Sequence, residues 1–344
     1  MKYFPVYLLL VLLPMLPACQ DELFLTEPEA TPTLVFRKIY QDFKDHYGLF
    51  GVKAVDWDSL YTALDSQVHD RMTERELYDV TVRLLSPLRD RHVTLYPASS
   101  ASLPRWSTDL TEDGAYVVRD FDFGVVREHY LTDLHEPVPF VQYGWVAEGV
   151  GYLHIQHMDG RMKNYESALD AAAGYLSDAE GLILDIRDNS GGFDPIAQYV
   201  AGRLATTEAP YMVVRKKNGP GPTDFTQPQE WWVRPAGDRQ LTPPTIVLTS
   251  DATASAAETF LLALRTQAHV RQFGTTTSGS FSDAPMWEVP NGWTYTLSIG
   301  DYRDPDGVSY EGKGLVPEVT VQNSREELLG GKDMVLERAI AALR

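Results

Sequence analysis

Cysteine is nearly missing from this chain: its 344 residues include one, Cys19. A lone cysteine excludes an intramolecular disulfide framework, a Cys-rich zinc site and an iron–sulfur cluster. Basic residues are also in short supply, 30 Lys and Arg against 48 Asp and Glu, for a formal net charge of -18. Such a surface repels phosphate, so nucleic acid is not an expected partner. Three glycine signatures are missing as well. There is no G-x-x-x-x-G-K-[ST], no G-x-G-x-x-G and no G-x-S-x-G, so P-loop, dinucleotide and α/β-hydrolase chemistries lack their key residues. What is present, at 44% hydrophobic and 23% charged, is the composition of a globular chain long enough to bury a large core.

The one long apolar run lies at the start. Lys2 precedes Phe4 to Leu16, a run too short for a permanent span of ~20 residues but suited to a secretory leader. It ends in Leu16-Pro17-Ala18-Cys19, which resembles a bacterial lipobox. The resemblance implies cleavage before Cys19, lipidation of that cysteine and attachment of the mature chain to a membrane of the bacterial cell envelope. Several acyl chains, at ~0.8 kcal/mol per buried CH₂, make a durable anchor where one is marginal. An ordinary signal peptide with an incidental cysteine is the competing reading.

Apolar spacing then divides the chain. From Thr33 to about Leu88 the period is helical, with Leu60, Leu64 and Val68 on one stripe and a capping box at Thr73–Glu76 opening a further helix. From Gly151 onward, strand patterns alternate with helix patterns. Gly181–Arg187 and Pro244–Thr249 are apolar on both faces, the mark of a mainly parallel α/β core. The expected organisation is a leader over 1–18, a tether over 19–30 and a small helical domain over 31–96. A connecting segment over 97–145 and an α/β domain over 146–344 follow. Lys216 to Pro244, with Trp231-Trp232, reads as a long surface loop or the rim of a cleft.

Two segments carry candidate chemistry. In Thr249-Ser250-Asp251-Ala252-Thr253-Ala254-Ser255-Ala256-Ala257-Glu258, a strand ends, a small-residue turn follows and a helix begins near Ser255. Free N–H groups and the helix dipole there favour developing negative charge. Ser255 and Glu258 also satisfy the capping-box pattern, so the hydroxyl reads equally well as an N-cap. The second segment is Asp185-Ile186-Arg187-Asp188-Asn189-Ser190-Gly191-Gly192, whose glycines free the backbone to present N–H groups to an oxygen. Asp185 and Arg187 read as a structural ion pair. His154 and His157 fall on opposite faces of a strand, and read as core or edge histidines rather than metal ligands.

In this order the two segments resemble the C-terminal processing peptidases, and the resemblance spans roughly residues 75–322. It implies a Clp protease/crotonase-like α/β fold and a serine peptidase acting on peptides or unfolded protein segments, with no metal or organic cofactor. It also implies that Ser255 is the nucleophile, with the N–H of Ala256 and of Gly191 or Gly192 as the oxyanion hole. The family's tail-specific branch activates its serine with a lysine in a G-x-x-T-x-G-K pattern. Here Gly274-Thr275-Thr276-Thr277-Ser278-Gly279-Ser280 puts Ser280 in that place. The tricorn-core-like branch uses a histidine and a distant glutamate. Arg89-Asp90-Arg91-His92 and Tyr310-Glu311-Gly312-Lys313-Gly314 resemble its patterns and supply His92 as base and Glu311 as its support. Arg91 stands where a small hydroxyl residue precedes the histidine in that branch. Residues 97–145 are too few for the PDZ domain of tail-specific members. A non-catalytic binding protein on the same scaffold is the alternative from another class. An acyl-CoA enzyme is disfavoured by export and by the lack of a basic phosphate-binding cluster.

Overall fold

Short capped helices open the described chain. The computed structural model describes residues 30–108 and 120–344; the apolar leader and Cys19 lie outside the described residues. Pro32–His46 starts behind Thr31, with proline at the first position, where its missing N–H costs nothing. Phe50–Lys53 and Trp57–Asp65 follow. Glu74–Leu85 carries the expected capping box, with Thr73 N–H donating to Glu76 at 2.8 Å and Glu76 N–H donating to Thr73 Oγ1 at 3.3 Å. Leu77, Val80, Leu84 and Leu85 form its buried stripe.

This helical unit is not complete within 31–96. Its core also takes Val289, Trp293, Tyr295 and Leu297, from a hairpin formed by Met286–Glu288 and Thr294–Thr296. The hairpin pairs antiparallel with Thr94–Tyr96, which pairs in turn with Trp106–Ser107. Trp293 is fully buried, and its indole N–H donates to Glu74 at 3.0 Å. The apolar helix faces need a cover, and a distant segment supplies it. Local periodicity carries no trace of that pairing.

The second unit is a seven-stranded sheet. Its order is Val319–Thr320, Val270–Gly274, Thr245–Thr249, Gly181–Asp185, Val150–Ile155, Val141–Ala147, Thr132–Val138. The first five strands run parallel, and the last two are antiparallel additions at one edge. The expected connecting segment therefore already contains two strands of the sheet, and a boundary at 145/146 cuts through one of them. Alternation along the central strands divides the core. Leu182, Leu184 and Val247 pack under the helices Met162–Tyr175, Asp194–Leu204 and Ala256–Leu264, while Ile183, Ile246 and Leu248 pack against Met334–Leu343.

The presumed loop over 216–244 contains the strand Gln229–Val233. It pairs with Ala209–Lys216, which also pairs with Gly300–Arg303 in a small separate sheet. Trp231 is the reason: its ring packs edge-on against Tyr211 and Tyr302, and that apolar contact outweighs the segment's Pro- and charge-rich composition. Arg187 is wholly buried, bridging Asp185 at 2.6 Å and Asp333 at 2.8 Å, so the expected ion pair is present and has a second carboxylate. His154 is a core histidine, held by Gln142 at 2.8 Å and Asp188 at 2.7 Å.

Candidate active site

Two turns at the carboxyl ends of parallel strands interlock, which is where open α/β sheets place ligands. After Thr245–Thr249 the chain makes a turn whose hydroxyls bind the neighbouring strand end. Ser250 Oγ donates to the Arg187 carbonyl, and Thr253 Oγ1 to the Ile186 carbonyl at 2.8 Å. Ala254 N–H donates to the Asn189 carbonyl at 3.1 Å. Ser255 follows with φ +57° and ψ -124°, a conformation that costs a non-glycine residue of order 1–3 kcal/mol and persists only where surroundings enforce it.

The glycines fit this junction for different reasons. A Cβ on Gly191 (φ +100°) would lie 2.7 Å from the Ala254 carbonyl oxygen and 2.8 Å from both Ala256 N and Ser255 Cβ. One on Gly192 would lie 2.4 Å from the Met158 carbonyl carbon. Their N–H groups also differ. Gly191 N–H is committed to Asn189 Oδ1 at 2.9 Å, whereas the N–H groups of Gly192 and Ala256 have no acceptor among the described residues.

Ser255 is not an ordinary N-cap. Glu258 Oε2 accepts the Ser255 N–H at 3.1 Å, but Glu258 N–H donates to the Ser255 carbonyl at 2.8 Å rather than to its hydroxyl. Glu258, wholly buried, has a wider task that its place in a helix pattern concealed. Its carboxylate also accepts Thr277 Oγ1–H, Gly279 N–H and Ser280 N–H at 2.5–2.7 Å. One side chain thus ties the Ser255 turn to the following loop. Burial pushes the carboxyl up to about 7 against the pull of these four donors.

His92 arrives from the helical unit. Behind Ser86–Leu88, Arg89 takes a left-handed conformation, and buried Asp90 accepts His92 N–H at 2.8 Å and the Tyr47 hydroxyl at 2.9 Å. The imidazole and Ser255 line one cleft of about 550 Å³, together with Gly192, Ala256, Asp194 and Asp283. His92 Nδ1 is buried and has no hydrogen-bond partner among the described residues. Burial lowers the imidazole below its usual range, partly offset by Asp90 and Asp283, which favours the neutral ring needed to accept a proton.

Glu311 lies behind this cluster rather than on the imidazole. Its Oε1 pairs with Lys53 Nζ at 2.6 Å, and Oε2 accepts Phe281 N–H at 2.7 Å. Burial and nearby Asp90 push the carboxyl up to about 8 against the pull of Lys53. Lys53 comes from the four-residue helix Phe50–Lys53 and also donates to the Arg89 carbonyl at 3.0 Å. No sequence pattern marked it. Arg91 turns away: its guanidinium donates to Ser278 Oγ at 2.7 Å and to the Asp251 carbonyl at 3.1 Å. Ser280 is buried and shares a 2.9 Å hydroxyl contact with Ser278. Among the described residues no group of three or more His, Cys, Asp or Glu is arranged to hold a metal ion.

A strained serine at a helix start and a half-buried histidine line one cleft of this α/β scaffold, and the chain is by class a serine peptidase. The family model described as peptidase family S41 matches residues 149–321, and the chain belongs to that family. The carboxy-terminal processing protease CtpA of Bacillus subtilis is 31% identical over 144 residues, 42% of this chain and 29% of the relative. CtpB of the same organism is 24% identical over 143 residues, 42% of this chain and 28% of its own length. The chain thus spans under a third of these curated relatives. A crystal structure of a protein assigned as a peptidase, from Parabacteroides merdae, matches with a TM-score of 0.79 at 26% identity, covering 92% of this chain and 97% of that one. The photosystem II D1 C-terminal processing protease shares the fold at a TM-score of 0.58 and 18% identity, covering 86% and 94%.

Proposed function

We propose that this protein is an endopeptidase in which Ser255 attacks the scissile carbonyl and His92 takes up its proton. A serine hydroxyl is a weak nucleophile at neutral pH and needs an adjacent neutral base. The observation that carries the reading is that Ser255, in a strained conformation, and His92 line one cleft with Gly192 and Ala256, whose N–H groups have no acceptor among the described residues. Those N–H groups, of Gly192 and Ala256, receive the oxyanion as the tetrahedral intermediate forms. Gly191 serves by its lack of a side chain, since its N–H already holds Asn189. The protonated imidazole then gives its proton to the leaving amine, and water repeats the sequence on the acyl-enzyme. Glu311 acts as a positioning residue through Lys53 and the loop that carries Asp90 and His92, not by bonding the ring.

The substrate is a peptide or an unfolded protein segment. We further propose that the chain is exported and held to a bacterial envelope membrane by acyl chains on Cys19, as the leader and its Leu-Pro-Ala-Cys ending support.

A fluorophosphonate probe tests the chemistry. Labelling is expected in the wild type and absent in Ser255→Ala, and His92→Ala is expected to lower turnover by ~10³ or more. A folded wild type that is neither labelled nor active on denatured casein and peptide libraries refutes the assignment. For the anchor, incorporation of a labelled fatty acid that survives Cys19→Ala refutes the attachment site.

A further inference from the structure

The cleft around Ser255 holds two carboxylates that the peptide-hydrolysis mechanism does not use. Asp194, at the start of the helix Asp194–Leu204, accepts Thr259 Oγ1–H at 2.9 Å. Asp283 comes from the loop ahead of the hairpin, and its outer side is paired with Lys216. Both line the cleft with Ser255 and His92. Two acidic groups against one lysine leave a net negative charge in a partly desolvated space, where charge is felt more strongly than in water.

A second observation points the same way. Tyr302 also lines this cleft, on a residue only 2% exposed, and its buried hydroxyl faces Asp283 without a hydrogen bond of acceptable geometry to any described residue. Its ionisation is suppressed by burial and by Asp283 and Asp194. A buried hydroxyl without a partner beside two carboxylates is an arrangement that lacks a ligand. Burial also pushes Asp194 up to about 6, with Asp283 adding to the rise and Lys216 opposing it.

Resting on the peptidase reading above, we infer that this cleft selects a cationic side chain, lysine or arginine, next to the scissile bond. The ammonium or guanidinium meets Asp194 and Asp283, and Tyr302 offers an acceptor oxygen. The alkyl stem lies along Ala284, Pro285 and Ile299 on the cleft wall, as such stems commonly pack on apolar surface. A guanidinium suits the site well because it can bridge two separate oxygen acceptors.

The test uses matched fluorogenic peptides with arginine, lysine, citrulline or norleucine before the cleaved bond, alongside calorimetric binding of N-acetyl-arginine amide and N-acetyl-citrulline amide to Ser255→Ala. Arginine is expected to exceed citrulline by about tenfold or more in both readouts, as for a lost hydrogen bond to a charged group. In Asp194→Asn and Asp283→Asn that ratio is expected to fall towards one. Cleavage with an arginine-to-citrulline ratio near one in the wild type, or a ratio unchanged in both variants, overturns the inference and leaves the peptidase assignment standing. Selective binding of the arginine amide without any cleavage or probe labelling has the opposite meaning: the subsite stands and the peptidase assignment fails.

Discussion

Replacing Lys53 by methionine tests how the helical unit is joined to the catalytic body. The Lys53 and Glu311 side chains are 9% and 1% exposed and 2.6 Å apart. At an effective dielectric of about 20, their attraction is ~6 kcal/mol. Desolvating the two ions costs several kcal/mol each. The intact pair is therefore close to neutral for stability, but removing one member is not. In Lys53→Met, Glu311 keeps the Phe281 N–H as its described donor and loses its counter-charge, a loss of about 3–5 kcal/mol where the carboxyl is ionised, above about pH 8. Lys53→Met/Glu311→Gln removes both charges and is expected to recover most of it. Denaturant unfolding of the two single variants, the double variant and the wild type gives the coupling, expected at about 2 kcal/mol or more. The dependence on pH has a definite sign. Glu311 is raised from 4.5 to about 8 in the folded protein, so its contribution is fully present below about pH 4.5 and is lost as pH rises through about 8. Without Lys53 the folded-state value rises further, so the variant's deficit is smallest near pH 5 and grows towards pH 9. Single-variant effects that add within about 0.5 kcal/mol, or a deficit independent of pH, refute the reasoning.

Two further predictions concern the turns around Ser255. Gly191→Ala introduces a Cβ 2.7 Å from the Ala254 carbonyl oxygen, and displacing the Ser255 turn by even ~1 Å is expected to lower kcat/KM by about 10² with secondary structure retained; activity within threefold of wild type counts against the proposed geometry. Arg187→Met leaves Asp185 and Asp333 buried without their shared cation and is expected to cost about 3–5 kcal/mol, measured by denaturant unfolding. A loss below 1 kcal/mol shows that the carboxylates find another partner.

Local patterns in the sequence were legible where the stabilising contact is itself local. The Thr73–Glu76 capping box formed because both partners lie within one turn. The strands Gly181–Asp185 and Thr245–Thr249 could be read from unbroken apolar runs, because both faces of the sheet are covered. The family resemblance likewise rested on two contiguous turns. What escaped notice depends on distant partners. The hairpin at 286–296 completes a core that begins at residue 35, and Trp231 converts a loop-like composition into a strand through rings at 211 and 302. Glu258 is the sharpest case. In sequence it is the third residue of a helix, sufficient for a cap, and nothing there announces that residues 277–280 return to it.

The same distinction separates Gly191 from Gly192. Sequence shows that a turn with two glycines can present N–H groups, and chemistry requires only one of them for an oxyanion. Which one is decided by Asn189, whose side chain accepts the Gly191 N–H while its own amide donates to the Ile155 carbonyl at 2.9 Å. Asn189 therefore fixes the turn to the neighbouring strand and, by occupying one donor, leaves the next as the donor of the proposed oxyanion hole. Shortening it removes both bonds, so Asn189→Ala is expected to lower kcat while leaving fold and net charge intact, through loss of turn geometry rather than of any group that touches substrate.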